Sequence, residues 1–150
     1  MQTFEIEIKF RVTDFVMLQD RLRQRFGTLE FGEQVLELDA FFQHPCRDFV
    51  QTDECLRLRT RTFKDDTLEH SLTYKGPKID ASTKTRHEIE MPIHEPQRWE
   101  SLFTALGFRA VASIQKFRRR MTLTLEHRQV DIVLDTLPAL PESARHFVEI

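Results

Sequence analysis

Charged and apolar residues alternate strictly along several stretches of this chain. In residues 3–12, apolar side chains take every second position and charged side chains take the positions between them. A period of two predicts a β-strand with one apolar and one polar face. The same pattern recurs further along, and the polar faces of the predicted strands carry Glu5/Glu7/Lys9, Arg57/Arg59/Arg61, Thr73/Lys75, Arg86/Glu88/Glu90, Lys116/Arg118/Arg120 and Asp131/Asp135. The chain is therefore expected to form a sheet whose two faces differ sharply.

Eight strands and two helices account for most of the chain. The strands are predicted at residues 3–12, 34–43, 54–64, 68–75, 84–91, 110–125, 129–136 and 145–150. Thr13 or Asp14 caps the first helix, which ends at Gly27, and the second helix runs from Pro96 to Gly107. The Gly76-Pro77 pair is expected to break the fourth strand. Turns of hairpin length predict one antiparallel α+β domain over residues 1–150.

The charged faces determine how this sheet is expected to close. A twisted sheet of about eight strands tends to curl and close, because closure removes exposed edges. If the helices cover the apolar face, the charged face lines the interior. The prediction is an eight-stranded antiparallel β-barrel, or tunnel, with the helices packed outside. An open sheet with its charged face in bulk water is the alternative.

An interior of mixed charge favours a small, highly charged ligand, because unpaired ions are costly to desolvate. The cations predicted to point inward are Lys9, Arg57, Arg59, Lys75, Arg86, Lys116 and Arg118. Guanidinium groups match phosphate oxygens, and lysines act as point charges. The inward carboxylates are Glu5, Glu7, Glu88, Glu90, Asp135 and Glu149. Carboxylates beside a polyphosphate require a divalent cation between them, such as Mg²⁺ or Mn²⁺.

Six short blocks follow one another in a familiar order. They are residues 4–10 (FEIEIKF), 56–59 (LRLR), 72–77 (LTYKGP), 86–90 (RHEIE), 116–118 (KFR), and 130–135 followed by 147–150 (FVEI). The first block resembles the ExExK signature of the CYTH superfamily, also called triphosphate tunnel metalloenzymes. Together the blocks cover nearly the whole chain. The LTYKGP block is similar to sequences grouped with the class IV adenylyl cyclases.

The resemblance implies a tunnel that binds a triphosphate with Mg²⁺ or Mn²⁺. By position, the implied metal ligands are Glu5, Glu7, Asp135 and Glu149, with Glu88 and Glu90 beside them. The implied phosphate-binding residues are Lys9, Arg57, Arg59, Lys75, Lys116 and Arg118. The general base is left open among Lys9, Lys75 and a metal-bound water. The family's last strand usually ends Glu-x-Glu, whereas this sequence stops at Glu149-Ile150. One carboxylate is therefore missing, through truncation or genuine shortness, and catalytic competence is left open.

Three classes of function remain as alternatives. The first is an enzyme, either a class IV adenylyl cyclase or a hydrolase of inorganic, thiamine or nucleoside triphosphate. The second is a polyphosphate or nucleotide sensor without turnover. Nucleic-acid binding is the third and is disfavoured, because interleaved carboxylates would repel a phosphate backbone. Phe41, Phe42, Tyr74 and Phe117 are candidates for base recognition, with ordinary packing the favoured alternative.

Composition and missing motifs exclude several other sites. The formal net charge of −2 provides no general field for nucleic acid or anionic membranes. The four glycines are too scattered for a phosphate-binding loop, and the two cysteines, which lack metal spacing, argue against a zinc site and a disulfide framework. No apolar stretch is long enough to span a membrane, and no signal-peptide pattern is present, so a cytoplasmic location is expected. The oligomeric state is left open, with a homodimer among the alternatives.

Overall fold

The computed structural model describes residues 3–5, 7–27, 29–79 and 85–150, and for residues 3–5 the backbone alone. The strands are β1 (Thr3–Glu5), β2 (Lys9–Val12), β3 (Val35–Gln43), β4 (Cys55–Thr62), β5 (Leu68–Lys78), β6 (Arg86–Pro92), β7 (Arg109–Leu125), β8 (Arg128–Thr136) and β9 (His146–Glu149). Helix α1 is Phe15–Phe26, helix α2 is Pro96–Ala105, and Glu142–Ala144 form one 3₁₀ turn. This is the predicted α+β composition, because β1 and β2 together correspond to the first predicted strand.

All nine strands belong to one antiparallel sheet in the order β1-β6-β5-β4-β3-β7-β8-β9-β2. Its two outer strands are β1 and β2, which are consecutive pieces of the chain. Glu5 and Lys9 are four Cα steps apart, so they lie within about 15 Å of each other. Because β1 and β2 are the outer strands of this order, the described hydrogen-bond ladder does not close into a ring. The two outer strands are nevertheless joined to each other by the short stretch of chain between them. The sheet curls with the topology of the predicted tunnel.

Helix α1 covers the outer face of β7, β8 and β9. Asp14 caps the helix by accepting a hydrogen bond from the backbone N–H of Val16, and Gly27 ends it with φ of 84°. Under the helix lies a core cluster of Met121, Ile132, Leu134 and Val148, against which Val12, Phe15, Leu18, Leu22, Leu29, Phe31 and Leu123 pack. The predicted apolar stripe of α1 therefore faces the sheet.

Helix α2 covers the outer face of the other half of the sheet. Its buried residue Phe103 packs edge-to-face on Phe42, with ring centroids 5.1 Å apart. Leu58 and Ile93 complete this second core cluster. Both helices therefore lie on the apolar face, which leaves the charged face inside. Neither α1 nor α2, the helices in the described part of the chain, is long and apolar enough to cross a membrane.

Most strand and helix boundaries lie within two residues of the predicted ones, and the end of β5 differs by three. Strand β5 continues through Gly76-Pro77 to Lys78, instead of breaking there. The pairing of β5 with β6 shifts between Lys75 and Lys78, and such a bulge accommodates a proline that cannot donate to the ladder. Strand β6 begins at Arg86, and the predicted start at Lys84 lies outside the described residues.

Candidate functional site

A cavity of about 580 Å³ lies on the inner face of the curled sheet. Among the described residues, seven cationic and seven acidic side chains line it. The cations are Arg57, Arg59, Arg61, Lys75, Lys116, Arg118 and Arg120. The acids are Glu7, Glu33, Glu37, Glu69, Glu88, Glu90 and Glu149. The cavity is thus strongly charged yet close to formal neutrality.

Strand periodicity explains why so many cations converge. Arg57, Arg59 and Arg61 occupy alternate positions of β4, so all three project to the same face. The same spacing brings Lys116 and Arg118 of β7 to that face. Strand β3 lies between β4 and β7, and its inward carboxylates separate the two rows of positive charge.

Glu37 and Asp39 of β3 are the buried centre of this arrangement. Arg59 donates two hydrogen bonds to Asp39, at 2.6 and 2.7 Å, and its Nη1 lies 3.0 Å from Glu37. Arg61 donates to the other oxygen of Glu37 at 3.0 Å. Only 2% of the Glu37 side chain is exposed. These short contacts hold the buried Arg59 guanidinium in place and attach the more exposed Arg61 to Glu37 through its Nε.

Asp135 of β8 is a second buried carboxylate, and it holds the inward cations of β7. Its side chain is fully buried, and it accepts hydrogen bonds from Arg118 at 2.7 and 2.5 Å and from Lys116 at 3.2 Å. Arg118 also donates to Glu149 at 2.5 Å. We call the group formed by Glu37, Asp39, Arg59, Lys116, Arg118 and Asp135 the buried wall.

The buried wall shifts the pKa values of its own residues and of the neighbouring Glu149. Burial by itself would raise the pKa of Glu37, but Arg118, Arg59 and Lys116 outweigh it and hold that pKa at about 2. Burial likewise opposes ionisation of Glu149, yet Arg118 and Lys9 lower its pKa to about 2. Burial and the neighbouring Arg118 lower the pKa of Lys116. The lowered pKa values of Glu37 and Glu149 keep both carboxylates ionised well below neutral pH, whereas the lowered pKa of Lys116 favours its neutral form.

On the opposite side of the cavity the side chains are more exposed than in the buried wall, and the contacts of Glu90 with arginine are longer. Lys75 of β5 lies 2.9 Å from Glu88 of β6, and both side chains are partly exposed. Glu90 is 35% exposed, and it accepts a hydrogen bond from Thr73 at 3.0 Å. The nearest nitrogens of Arg57 and Arg61 lie 3.7 Å from Glu90, beyond hydrogen-bond distance. We call the group formed by Arg61, Lys75, Glu88 and Glu90 the open wall.

The structure brings nine of the sequence-predicted site residues to this cavity. They are Glu7, Arg57, Arg59, Lys75, Glu88, Glu90, Lys116, Arg118 and Glu149. Lys9 and Asp135 do not line it but contact residues that do, because Lys9 lies 2.8 Å from Glu149 and Asp135 lies behind Arg118. Glu5 pairs through its backbone with Arg86, and its side chain lies outside the described residues.

Arg86 is a correction to the predicted set of inward cations. It is not among the described residues that line the cavity. Its guanidinium donates to the backbone carbonyl of Asp53 at 3.0 Å and to the Asp53 carboxylate at 3.3 Å. The shifted pairing at the end of β5 places Arg86 opposite Lys78, near the loop before β4. The side chain is therefore bound to that loop.

Sequence reasoning missed Glu37 and Asp39, although the signal was present. The two carboxylates alternate with Leu36 and Leu38 in the predicted second strand. That i, i+2 spacing is the same pattern by which the other inward residues were assigned. Glu33 and Glu69 were missed too; Glu69 shares the alternate positions of Thr73 and Lys75 in the predicted fourth strand, whereas Glu33 precedes the second strand.

The four aromatic candidates for base recognition do not line the cavity. Phe42 is buried in the core cluster beneath α2, as the packing alternative predicted. Tyr74 donates a hydrogen bond to Glu54, away from the cavity lining. Phe41 and Phe117 do not line the cavity either. Phe63, which the sequence analysis did not single out, is the aromatic residue that lines it in the described part of the chain.

Carboxylate oxygens that face the cavity are the donor type that Mg²⁺ and Mn²⁺ prefer. Glu7, Glu88, Glu90 and Glu149 supply such oxygens, so the donor chemistry fits a divalent cation. Within the described ranges, however, no three His, Cys, Asp or Glu side chains are already grouped to hold a metal ion. A cation would therefore recruit carboxylates that now contact lysine or arginine.

Comparisons with known proteins agree with this architecture. A protein of Methanocaldococcus jannaschii named "Putative adenylate cyclase MJ0240" is 38% identical over 114 residues, which are 76% of this chain and 61% of that relative. The matched region thus spans about three fifths of the relative's length. The PH1819 protein of Pyrococcus horikoshii has a similar structure, with a TM-score of 0.77 and 36% identity over 95% of this chain and 75% of that one.

A more distant likeness concerns the fold alone. A Hippeastrum "putative adenylyl cyclase", described as having "a dominant triphosphatase activity", has a TM-score of 0.57 and 17% identity, over 99% of this chain and 78% of that one. The CYTH domain family itself matches residues 3–150. The curled antiparallel sheet, the charged inner face and this match lead to one conclusion: the chain belongs to the CYTH domain family.

Proposed function

We propose that the chain binds a triphosphate and a divalent cation in the charged cavity and acts on a phosphoanhydride bond. The observation that carries this proposal is the convergence of seven lysine and arginine side chains on one cavity of about 580 Å³. Guanidinium and ammonium groups in this number suit a ligand with several phosphate groups. ATP is the first candidate substrate, since the 38% identical relative is named as an adenylate cyclase.

The balance of charge in the cavity supports a requirement for metal. Seven carboxylates accompany the seven cations, and the buried Asp39 and Asp135 add negative charge behind them. If a triphosphate entered alone, it would attract the lysine and arginine side chains away from several of these carboxylates. Those carboxylates would then lie unpaired beside a polyanion. Mg²⁺ or Mn²⁺ would supply positive charge to those carboxylates and polarise the phosphate oxygens. We therefore expect triphosphate and metal to bind cooperatively.

The proposed roles follow from where each side chain lies. Arg57, Arg59, Lys116 and Arg118 would bind phosphate oxygens from the strands that form the cavity floor. Glu7 and Glu90, with Glu88 and Glu149 beside them, would hold the cation, and the sequence adds Glu5 to that set. Lys75 lines the cavity whereas Lys9 does not, so Lys75 is the better placed of the two candidate general bases.

Cyclisation is the first candidate reaction. The ribose 3′-hydroxyl oxygen attacks the α-phosphorus, its proton passes to the base, and the bond from the α-phosphorus to the bridging oxygen breaks. Pyrophosphate leaves with the bonding electrons, and the arginine side chains stabilise its developing charge.

Hydrolysis is the second candidate reaction. Water attacks the terminal phosphorus, its proton passes to the base, and the bond from that phosphorus to the bridging oxygen breaks. The diphosphate leaves with the bonding electrons, and the same cations stabilise its developing charge. It is favoured by a lining that is almost wholly charged, because such groups act on phosphate and not on ribose.

The test is a substrate screen with a matched pair of variants. The purified protein is incubated with ATP, tripolyphosphate or thiamine triphosphate, with Mg²⁺, Mn²⁺ or EDTA, and products are separated by ion-exchange chromatography. Cyclic AMP identifies a cyclase and orthophosphate a triphosphatase. Metal-dependent binding without any product identifies the sensor instead. Absence of both binding and turnover would refute the proposal.

Two matched variants distinguish the loss of a metal ligand from the general effect of removing one negative charge. Glu7→Gln removes a carboxylate from the cavity, whereas Glu100→Gln makes the same change at an exposed position on α2. We expect Glu7→Gln to lower metal-dependent activity by at least tenfold while the protein stays folded, and Glu100→Gln to leave activity unchanged. Equal activity in the two variants would place the metal elsewhere.

A further inference from the structure

Strand β7 is paired on both sides along only part of its length. Strand β8 pairs with it from Phe117 onward. Residues 109–116 pair with β3, and no other described residue forms a backbone hydrogen bond with them. We call their unpaired side the free edge. It extends over roughly 24 Å, which is longer than a typical whole strand.

The side chains of the free edge are exposed and mostly apolar. Residues 109–115 are all exposed, including Val111 at 59% and Ile114 at 37%. The stretch 110–115 (AVASIQ) contains no charged residue, proline or glycine. Natural edges are normally protected by charge, proline, a bulge or a covering segment, because their unpaired N–H and C=O groups otherwise recruit another strand. Among the described residues, the bulge at Val111 is the one such device here, so residues 112–116 are open to pairing.

The free edge carries apolar side chains on both faces of the sheet. Ile114 lies opposite Asp39 of β3, on the inner face. Ala110 lies opposite Phe42, on the outer face beneath α2. A strand added at the free edge would therefore contact apolar side chains on both faces. None of residues 109–115 lines the charged cavity, so this surface lies outside the site described above.

We propose that the free edge pairs antiparallel with the free edge of a second copy of this chain, around a two-fold axis perpendicular to the sheet. The regular part of the edge, residues 112–116, has Ile114 at its centre, so the axis passes beside that residue. Two nine-stranded sheets would then join into one continuous sheet. The proposal goes beyond the proposed function and does not rest on it.

A second copy is the occupant that the free edge fits best. Pairing centred on Ile114 places the two Ile114 side chains opposite each other and sets Ser113 against Gln115, which can exchange a hydrogen bond. Ala112 then lies opposite Lys116, so no two charges of like sign face each other. A two-fold axis also covers the free edge of each copy with that of the other, which closes the assembly at two chains.

The first experiment measures the oligomeric state and the effect of a charge at the axis. Sedimentation velocity covers concentrations from about 1 to 100 μM, where a small interface dissociates, and the wild type should form a dimer as the concentration rises. Ile114→Lys would place two ammonium groups opposite each other, so we expect it to raise the dimer dissociation constant by at least about tenfold. Ile89→Lys makes the same change at an exposed position of β6 and should dimerise like the wild type.

The second experiment locates the interface without any substitution. Hydrogen exchange read by mass spectrometry should show residues 112–116 of the wild type more protected at high than at low concentration, because added strand pairing engages their free amides. The same peptide of Ile114→Lys should show no such concentration dependence. Circular dichroism checks that Ile114→Lys and Ile89→Lys are both folded.

Four results would overturn the inference. The first is a wild type that stays monomeric over the whole concentration range, whatever other protein it binds. The second is a dimer that Ile114→Lys leaves as stable as the wild type. The third is a dimer in which residues 112–116 gain no protection. The fourth is a series of species larger than a dimer, which a closed two-fold pairing does not allow. None of these results bears on triphosphate binding, so the proposed function is tested separately.

Discussion

The buried wall and the open wall of the cavity carry similar residues in different environments. In the buried wall, the side chains of Glu37, Arg59 and Asp135 are 2%, 3% and 0% exposed, and their ion pairs are short. In the open wall, Glu90 and Arg61 are 35% and 24% exposed, and their nearest atoms are 3.7 Å apart. The buried wall is therefore tightly paired, whereas Glu90 in the open wall retains room to change partners.

This difference separates two tasks that a phosphate-binding cavity performs. A cation whose position is fixed before the ligand arrives pays less conformational entropy on binding. The buried wall achieves this for Arg59, Lys116 and Arg118 through the carboxylates behind them. Carboxylates that must exchange a cationic side chain for a metal ion instead need solvent access and weak pairing. In the open wall, Glu90 has both properties.

The largest expected effect is on the stability of the buried wall. Asp135→Asn removes a fully buried charge that holds Lys116 and Arg118. Breaking a buried ion pair by removing one partner costs about 3–5 kcal/mol of unfolding free energy. Urea denaturation near neutral pH measures this loss, with Glu100→Gln as the charge-matched surface control. A loss below about 1 kcal/mol would show that Asp135 does not hold the wall together.

The second largest expected effect is a loss of stability at acid pH, through protonation of Glu37 in the buried wall. The pKa of Glu37 is about 2 in the folded protein and 4.5 as its ordinary value. A carboxyl whose pKa is lowered by folding stabilises the protein above its ordinary pKa, and that contribution is lost as the pH falls through the folded value. A shift of this size corresponds to roughly 3 kcal/mol. Stability should therefore fall between about pH 4.5 and pH 2.

A variant assigns that pH dependence to one residue. The difference in unfolding free energy between wild type and Glu37→Gln should be greatest near neutral pH. It should shrink as the pH falls from about 4.5 to 2, because the wild-type carboxyl then becomes neutral as well. Urea titrations at several pH values test this. A difference that stays constant over the range would contradict the role given to the cations around Glu37.

The smallest effect on stability is expected in the open wall. Glu90→Gln alters a partly exposed carboxylate whose arginine contacts are 3.7 Å long, so the unfolding free energy should change by no more than about 0.5 kcal/mol. The same variant should weaken Mg²⁺-dependent binding of tripolyphosphate, measured by calorimetry, while binding without metal stays unchanged. A stability loss as large as that of Asp135→Asn would erase the distinction between the two walls.

Alternation predicted most of the fold because it reports directly on the two faces of each strand. In β4, the alternation of Arg57, Arg59 and Arg61 with apolar residues is enough to predict that one face points into the cavity and the other towards the helices. The prediction of a strand break at Gly76-Pro77 was wrong, since a bulge absorbs the proline without ending β5. The local sequence identifies a proline that cannot donate to the hydrogen-bond ladder of the sheet. It does not show whether the register with the neighbouring strand can shift to accommodate that proline.

The placement of individual charges was less predictable. Arg86 shares the alternating pattern of β6, yet the shifted register directs it to Asp53. Glu37 has the same pattern, and its importance arises from four cations that β4 and β7 bring to it. Alternation tells which face a side chain occupies, but not which charges from other strands will surround it.

The sequence by itself determined that this chain forms amphipathic strands, two covering helices and a charged inner face, because those properties follow from the period of its side chains. Only the tertiary structure decided which charges are locked together and which remain accessible. Whether an ion pair is rigid or exchangeable depends on its burial and its distance from every neighbour. Both are set when strands far apart in the chain, such as β3 and β7, come into register.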